Sequence, residues 1–165
     1  MISGGGFRMI FHTRRWAAVT ALGLLLAGCG TVEPFDDLRE ELERNEQLWG
    51  DVGPLNYVYT VERQCFCGVE ARGPVRVTAS GLIATSRIYV DTEEPVEASF
   101  AGLFPTVEGL FAFIGDAIAR GAHDIDVTYD LETGVPLTVF VDYAAHVADE
   151  EIGYVVREAP SAPMP

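Results

Sequence analysis

The segment 55–67 decides the fold class of the chain, and it reads Leu-Asn-Tyr-Val-Tyr-Thr-Val-Glu-Arg-Gln-Cys-Phe-Cys. Residues for a buried face and residues for an exposed face alternate along most of its length. A period of two is typical of a strand with one buried face. Arg63 interrupts the apolar side, so we expect it near the rim of the sheet. The predicted inward face consists of Leu55, Tyr57, Tyr59, Val61, Cys65 and Cys67.

Two more strands are predicted directly after this segment. Residues 68–74 turn the chain, and the next strand places Val75, Val77 and Ala79 on its inward face. Ser80-Gly81 is typical of a hairpin turn, and a third strand covers 82–90. Because the connections are short, we expect antiparallel neighbours.

A helix is predicted on each side of these strands. The first covers 38–49, with Asp37 as its N-cap and Gly50 as its stop. The second begins after Thr106, a good N-cap, and ends at Gly121. Its apolar stripe has helical spacing and consists of Val107, Leu110, Phe111, Ile114, Ala117 and Ile118.

Three further alternating segments, around 125–129, 137–141 and 152–156, predict three more strands. The segments 130–134 and 142–151 connect them. The sequence therefore predicts an α+β fold with a six-stranded, mostly antiparallel sheet and two helices on one face. The predicted order is αβββαβββ.

The N-terminal segment is typical of export. Arg8, Arg14 and Arg15 precede a short apolar run, and Leu26-Ala27-Gly28-Cys29 resembles a bacterial lipobox. A lipobox directs cleavage before the cysteine and acylation of its sulfur by chains such as palmitate. Gly30 stands where aspartate retains lipoproteins in the inner membrane, so the resemblance implies the outer membrane, facing the periplasm, in a diderm host.

These features divide the chain into four parts. We predict a signal peptide at 1–28, a tether at 29–34, one α+β domain at 35–158 and a disordered Pro/Ala tail at 159–165. The membrane, reached through the lipid on Cys29, is the first predicted partner.

Charge argues against nucleic acid as a partner. The whole sequence has a formal net charge of −14 and no lysine, and removal of the signal would take away three arginines and no acid. A domain this acidic repels polyanions. Simple solubility of a tethered domain also explains the charge.

Cys65 and Cys67 lead the candidates for chemistry. Residues two apart in a regular strand are too distant for a disulfide, but a bend at Gly68 would close the gap. The pair is then either structural or a redox site, and an exported location permits a disulfide. Metal binding with His123 or His146 is a third interpretation, although the spacing matches no usual zinc pattern.

A set of loop acids forms the second candidate. Hard cations such as Ca²⁺ bind several loop oxygens. Capping of turns is the competing interpretation, and Asp130 with Gly134 suits a hairpin turn. The acids of this possible cation surface are Asp130, Asp142, Asp149, Glu150 and Glu151.

No catalytic signature is present. The chain has no Gly-x-Ser-x-Gly elbow and no phosphate-binding glycine loop. We predict no catalytic residue, no resident metal and no cofactor. The hypotheses are a non-enzymatic binding or envelope-interaction module, a thiol–disulfide or metal-handling protein, and, least favoured, a hydrolase. The sequence identifies no envelope protein or small ligand.

Several short elements together resemble a bacterial family of small secreted lipoproteins, the domain of unknown function DUF6174. The family offers no activity to transfer, and its helix-and-strand layout agrees with the prediction above. Val135 departs from the aromatic residue expected there. The elements are Trp49, Tyr57-x-Tyr59, Cys65-Phe66-Cys67, Tyr129-Asp130, Gly134-x-Pro136, Asp142 and Asp149-Glu150-Glu151.

Overall fold

The computed structural model describes Met1, residues 35–147 and residues 149–163. Cys29 and the predicted tether lie outside the described residues. The predicted α+β domain is therefore the part whose architecture follows.

An antiparallel sheet of six strands forms the body of the domain. The strands occur in the order β3-β2-β1-β6-β5-β4. β1 and β6 pair in the middle, although they come from opposite ends of the domain sequence. Their bounds are β1 Asn56–Gln64, β2 Val75–Ser80, β3 Ile83–Tyr89, β4 Asp124–Tyr129, β5 Pro136–Asp142 and β6 Ile152–Ser161.

Three α-helices accompany this sheet in the described part of the chain: α1 Asp36–Val52, α2 Ala98–Ala101 and α3 Val107–Ala119. The apolar stripe of α3 and the inward face of β2 are buried as predicted, and in β1 so are Tyr57, Tyr59 and Val61. The prediction was wrong for Leu55, which precedes β1 and is 73% exposed, and Cys65 and Cys67 are only half-buried beyond its end. Burying an aliphatic or aromatic side chain contributes about 1.5–3 kcal/mol. The stripe therefore outweighs the two glycines in α3, which oppose the helix by about 1 kcal/mol each.

Polar contacts fix α1 and α3 to β1. Glu108 accepts hydrogen bonds from Trp49 Nε1 at 2.9 Å and from the Tyr57 hydroxyl at 2.7 Å. The Tyr59 hydroxyl donates to the carbonyl oxygen of Pro105. Burial raises the pKa of Tyr57, and the carboxylate of Glu108 raises it further. These buried hydroxyls therefore act as fixed donors that orient the start of α3.

The ends of α3 agree with the sequence prediction. The Thr106 side chain accepts from Gly109 N at 3.2 Å, and Gly121 has φ 64° just after the last turn. The ends of α1 were predicted wrongly. Asp37 lies inside the helix, Phe35 is the N-cap without a side-chain cap, and the helix continues through Gly50 to Val52.

The predicted order αβββαβββ was incomplete. It lacks α2 and a 3₁₀ turn at Val69–Ala71. The structure agrees with the prediction in its α+β class and in its antiparallel sheet of six strands. The predicted tail also begins too early, because β6 continues to Ser161, which pairs with Val58. β1 offers a partner there, and paired backbone stays ordered.

Candidate functional site

The Cys65-Phe66-Cys67 turn lies just beyond the end of β1. The prediction that both cysteines belong to the first strand was wrong, because β1 ends at Gln64. The chain bends there, and Cys65 and Cys67 form a disulfide with a Cα–Cα distance of 5.3 Å. The bend brings the sulfurs together, which a regular strand does not allow. Phe66, between the two cysteines, is 84% exposed.

Arg63 is the charged neighbour of this disulfide. Its Nη1 lies 2.8 Å from Cys65 Sγ and 3.5 Å from Cys67 Sγ. Within the described residues, no carboxylate forms an ion pair with Arg63, and its buried Nε has no hydrogen-bond partner. Burial raises the pKa of Tyr154, the cross-strand neighbour of Arg63, and the guanidinium charge opposes that rise.

A groove of about 530 Å³ opens beside the turn. We call it the disulfide groove. It is lined by the turn and Arg63, by Phe113 and Asp116 of α3, and by Arg120 and Tyr143. Arg120 lies 4.4 Å from the centre of the Tyr143 ring and 3.3 Å from the Asp116 carboxylate. Phe113 packs edge-on against Tyr154, with ring centres 5.2 Å apart. The groove thus combines aromatic surface with paired charges.

The structure brings together three of the five predicted acids. Asp149, Glu150 and Glu151 are exposed and line the disulfide groove. They reach it because Gln64, at the end of β1, pairs with Gly153 near the start of β6. The two candidate sites predicted separately from the sequence therefore share this edge.

The other two acids stabilise turns. Asp142 accepts from Ala144 N at 2.8 Å. Asp130 lies at the opposite end of β5 and accepts from the Thr133 hydroxyl and Thr133 N, both at 2.8 Å. The hydrogen bonds from Thr133 hold the pKa of Asp130 below its usual range. Asp130 therefore takes the turn-capping role that the sequence offered as the alternative to a cation site.

The arrangement gives little support to metal binding. Across residues 35–147 and 149–163, no three His, Cys, Asp or Glu side chains come together in a way that could hold a metal ion. His123 lines a different groove, next to Phe35 and Arg39, and His146 is exposed. Neither imidazole lines the disulfide groove.

Sequence reasoning placed Arg63 only at the rim and did not assign it to the sulfurs. The available signal was the spacing Arg63-x-Cys65-x-Cys67, which puts a cation on the same side of a strand as two sulfurs. The contributions of Phe113, Asp116 and Arg120 had no sequence signal, because they come from α3 and its C-cap, far along the chain from the cysteines.

No curated protein and no solved structure matches the chain. No helix among the described residues is both long and apolar enough to cross a membrane. The Family of unknown function (DUF6174) matches residues 41–160, more than half of the chain, so the chain belongs to that family, as its motifs indicated.

Proposed function

We propose that this protein is an exported lipoprotein, held to a bacterial membrane through acylated Cys29, whose domain is a non-enzymatic binding or envelope-interaction module. The order Leu26-Ala27-Gly28-Cys29 supports the anchor. Two or more acyl chains hold a protein stably at a bilayer. In a diderm host, Gly30 favours the outer membrane, with the domain facing the periplasm.

The observation that carries the binding role is the presentation of Phe66. An aromatic side chain that is 84% exposed stands between two bonded cysteines and lines the disulfide groove. Exposed aromatic anchors beside pockets are typical of interaction sites. A turn closed by a disulfide loses less entropy on binding than a free loop does. The net charge of −14 favours a protein or small-molecule partner over nucleic acid.

Capture from the cell envelope tests this role. Full-length wild-type protein, purified from detergent-solubilised envelope after mild cross-linking, is compared with Phe66→Ser and with Leu131→Ser. Leu131 is the matched control because it is 93% exposed but lies on the β4–β5 turn. We expect a cross-linked partner with wild type and with Leu131→Ser, and its loss with Phe66→Ser. Recovery of the same partner with all three proteins, or of none with wild type, would contradict the proposal.

Thiol–disulfide chemistry at Cys65 and Cys67 is a second candidate function. The contact of Arg63 with both sulfurs favours it, because a nearby guanidinium stabilises the thiolates that reduction would release.

A further inference from the structure

We propose that Cys65–Cys67 is an exchange-competent disulfide in which a dithiol of an exported protein attacks Cys67 and Cys65 leaves as a thiolate held by Arg63. The inference rests on the second candidate function and deepens it, since it assigns a role to each sulfur and names the class of partner. It concerns the same groove as the binding role but requires a covalent step.

This disulfide contributes little to the stability of the fold. It joins residues separated by only two positions, and neither cysteine belongs to the sheet. The stabilisation that a disulfide gives through the unfolded state grows with the length of the loop it closes. A loop this short leaves most of the fold unaffected. The main consequence of the bond is the local shape of the turn.

The two sulfur-bearing residues are accessible from the disulfide groove. Cys65 and Cys67 are both partly exposed and both line the disulfide groove. The flanking residues Phe66 and Gly68 are exposed as well. Exchange requires an incoming thiolate to reach a disulfide sulfur, and its rate depends on which sulfur is accessible. Both cysteines are half-buried, so the described part of the domain leaves the pair partly open to an incoming thiolate.

The position of Arg63 sets the direction of attack. Arg63 lies 0.7 Å closer to Cys65 than to Cys67, at 2.8 Å against 3.5 Å. A thiolate formed on Cys65 is therefore the better stabilised, and a less basic thiolate leaves faster. Among the described residues, no carboxylate forms an ion pair with Arg63, and its other side-chain hydrogen bond is with Tyr154. Arg63 acts as a positioning residue, and Cys67 is the sulfur attacked.

The exchange balances without a further reactant. A partner thiolate forms a bond to Cys67 Sγ while the Cys65–Cys67 bond breaks, and the electron pair of that bond goes to Cys65. The second thiolate of the partner then attacks the partner sulfur that is bonded to Cys67. A disulfide forms within the partner, and Cys67 is released as a thiolate. The partner is oxidised by two electrons to a disulfide. The cysteine pair is reduced, and the two protons lost by the partner thiols are available to it.

The test uses the full-length protein in detergent, with reduced glutathione as the probe. The reaction is quenched with N-ethylmaleimide, and the modified cysteines are identified by mass spectrometry. We expect glutathione on Cys67 and N-ethylmaleimide on Cys65. Glutathione mainly on Cys65 would overturn the assigned direction and leave the second candidate function standing. A disulfide that stays intact, with no adduct on either cysteine, would overturn both.

A second measurement isolates Arg63. The equilibrium constant for reduction by glutathione is compared in wild type, Arg63→Met, Arg63→Lys and Arg72→Met. Arg72 is the matched control, because it is exposed and its side chain makes no hydrogen bond to either sulfur. We expect Arg63→Met to lower the constant about tenfold, which is about 30 mV for two electrons. The equilibrium constant of Arg63→Lys should lie closer to that of wild type than to that of Arg63→Met. Arg72→Met should have the same constant as wild type. Equal constants in all four proteins would overturn the role of Arg63. If Arg63→Met does not fold, the adduct mapping on wild type decides alone.

Discussion

At the scale of single residues, the β4–β5 turn shows how far local sequence determines local structure. Asp130 and Gly134 were predicted to form a hairpin turn. The Asp130 carboxylate accepts from Glu132 N and Thr133 N, and Gly134 has φ 76°. Both features have causes within a few residues of each other. A sequence pattern can therefore specify them without knowledge of the tertiary fold.

Gly134 also makes a contact that the sequence does not reveal. A Cβ atom there would overlap the backbone carbonyl oxygen of Asn45 in α1. We expect Gly134→Ala to destabilise the domain by about 2 kcal/mol or more, because a positive φ alone costs an L-residue about 1–2 kcal/mol. Gly50→Ala is the control, since Gly50 lies within α1 with nothing within 4 Å of its Cβ position. It should raise stability by about 0.5–1 kcal/mol. Urea unfolding at neutral pH measures both, and losses of similar size in the two variants would contradict this account.

Arg63 marks the limit of prediction at this scale. Alternation along 55–67 put it at the rim, but its contact with the sulfurs requires the bend after Gln64. A regular strand would hold the two sulfurs apart, so alternation alone does not predict this contact. The sequence therefore identified the two cysteines but not the arginine that contacts them.

At the scale of elements, helical periodicity predicted α3 well and local stop signals predicted α1 poorly. The stripe of α3 is buried along its length, and both of its ends agree with Thr106 and Gly121. In α1, Gly50 did not end the helix. The helix ends at Val52, where Gly53 N donates a hydrogen bond to the Trp49 carbonyl oxygen at 2.7 Å. The Trp49 indole in turn donates a hydrogen bond to Glu108. Packing of Trp49 thus outweighed the roughly 1 kcal/mol by which a glycine opposes a helix.

Two phenylalanines of α3 test the face assignment. Phe111 is 2% exposed and stacks on Tyr129 with an interplanar angle of 14°, whereas Phe113 is partly exposed beside the disulfide groove. We expect Phe111→Ala to cost about 3–5 kcal/mol in the free energy of unfolding, and Phe113→Ala to cost clearly less. Parallel urea unfolding curves of the two variants check this. A larger loss for Phe113→Ala would show that the wrong side of α3 was taken as the core.

At the scale of the whole molecule, the pairing of β1 with β6 controls both the fold and the candidate site. Hairpin signals predicted neighbours close in sequence, but no local signal joins strands from the two ends of the domain. This pairing makes one sheet from two three-stranded halves. It also places residues 149–151 beside Cys65 and Cys67. The sequence therefore identified the two cysteines and the three acids of the site, and the sheet order brought them together.

Metabolic labelling with an alkyne fatty acid tests the central claim, the lipid anchor, most directly. The sequence contains three cysteines, and two of them are joined to each other in the structure. We expect label on the wild-type protein and on a Cys65→Ser, Cys67→Ser double variant, and no label on Cys29→Ser. The unlabelled Cys29→Ser protein should also keep its signal segment and migrate as the larger, uncleaved chain. Label on Cys29→Ser at the wild-type level, or a wild-type protein without label, would contradict the account.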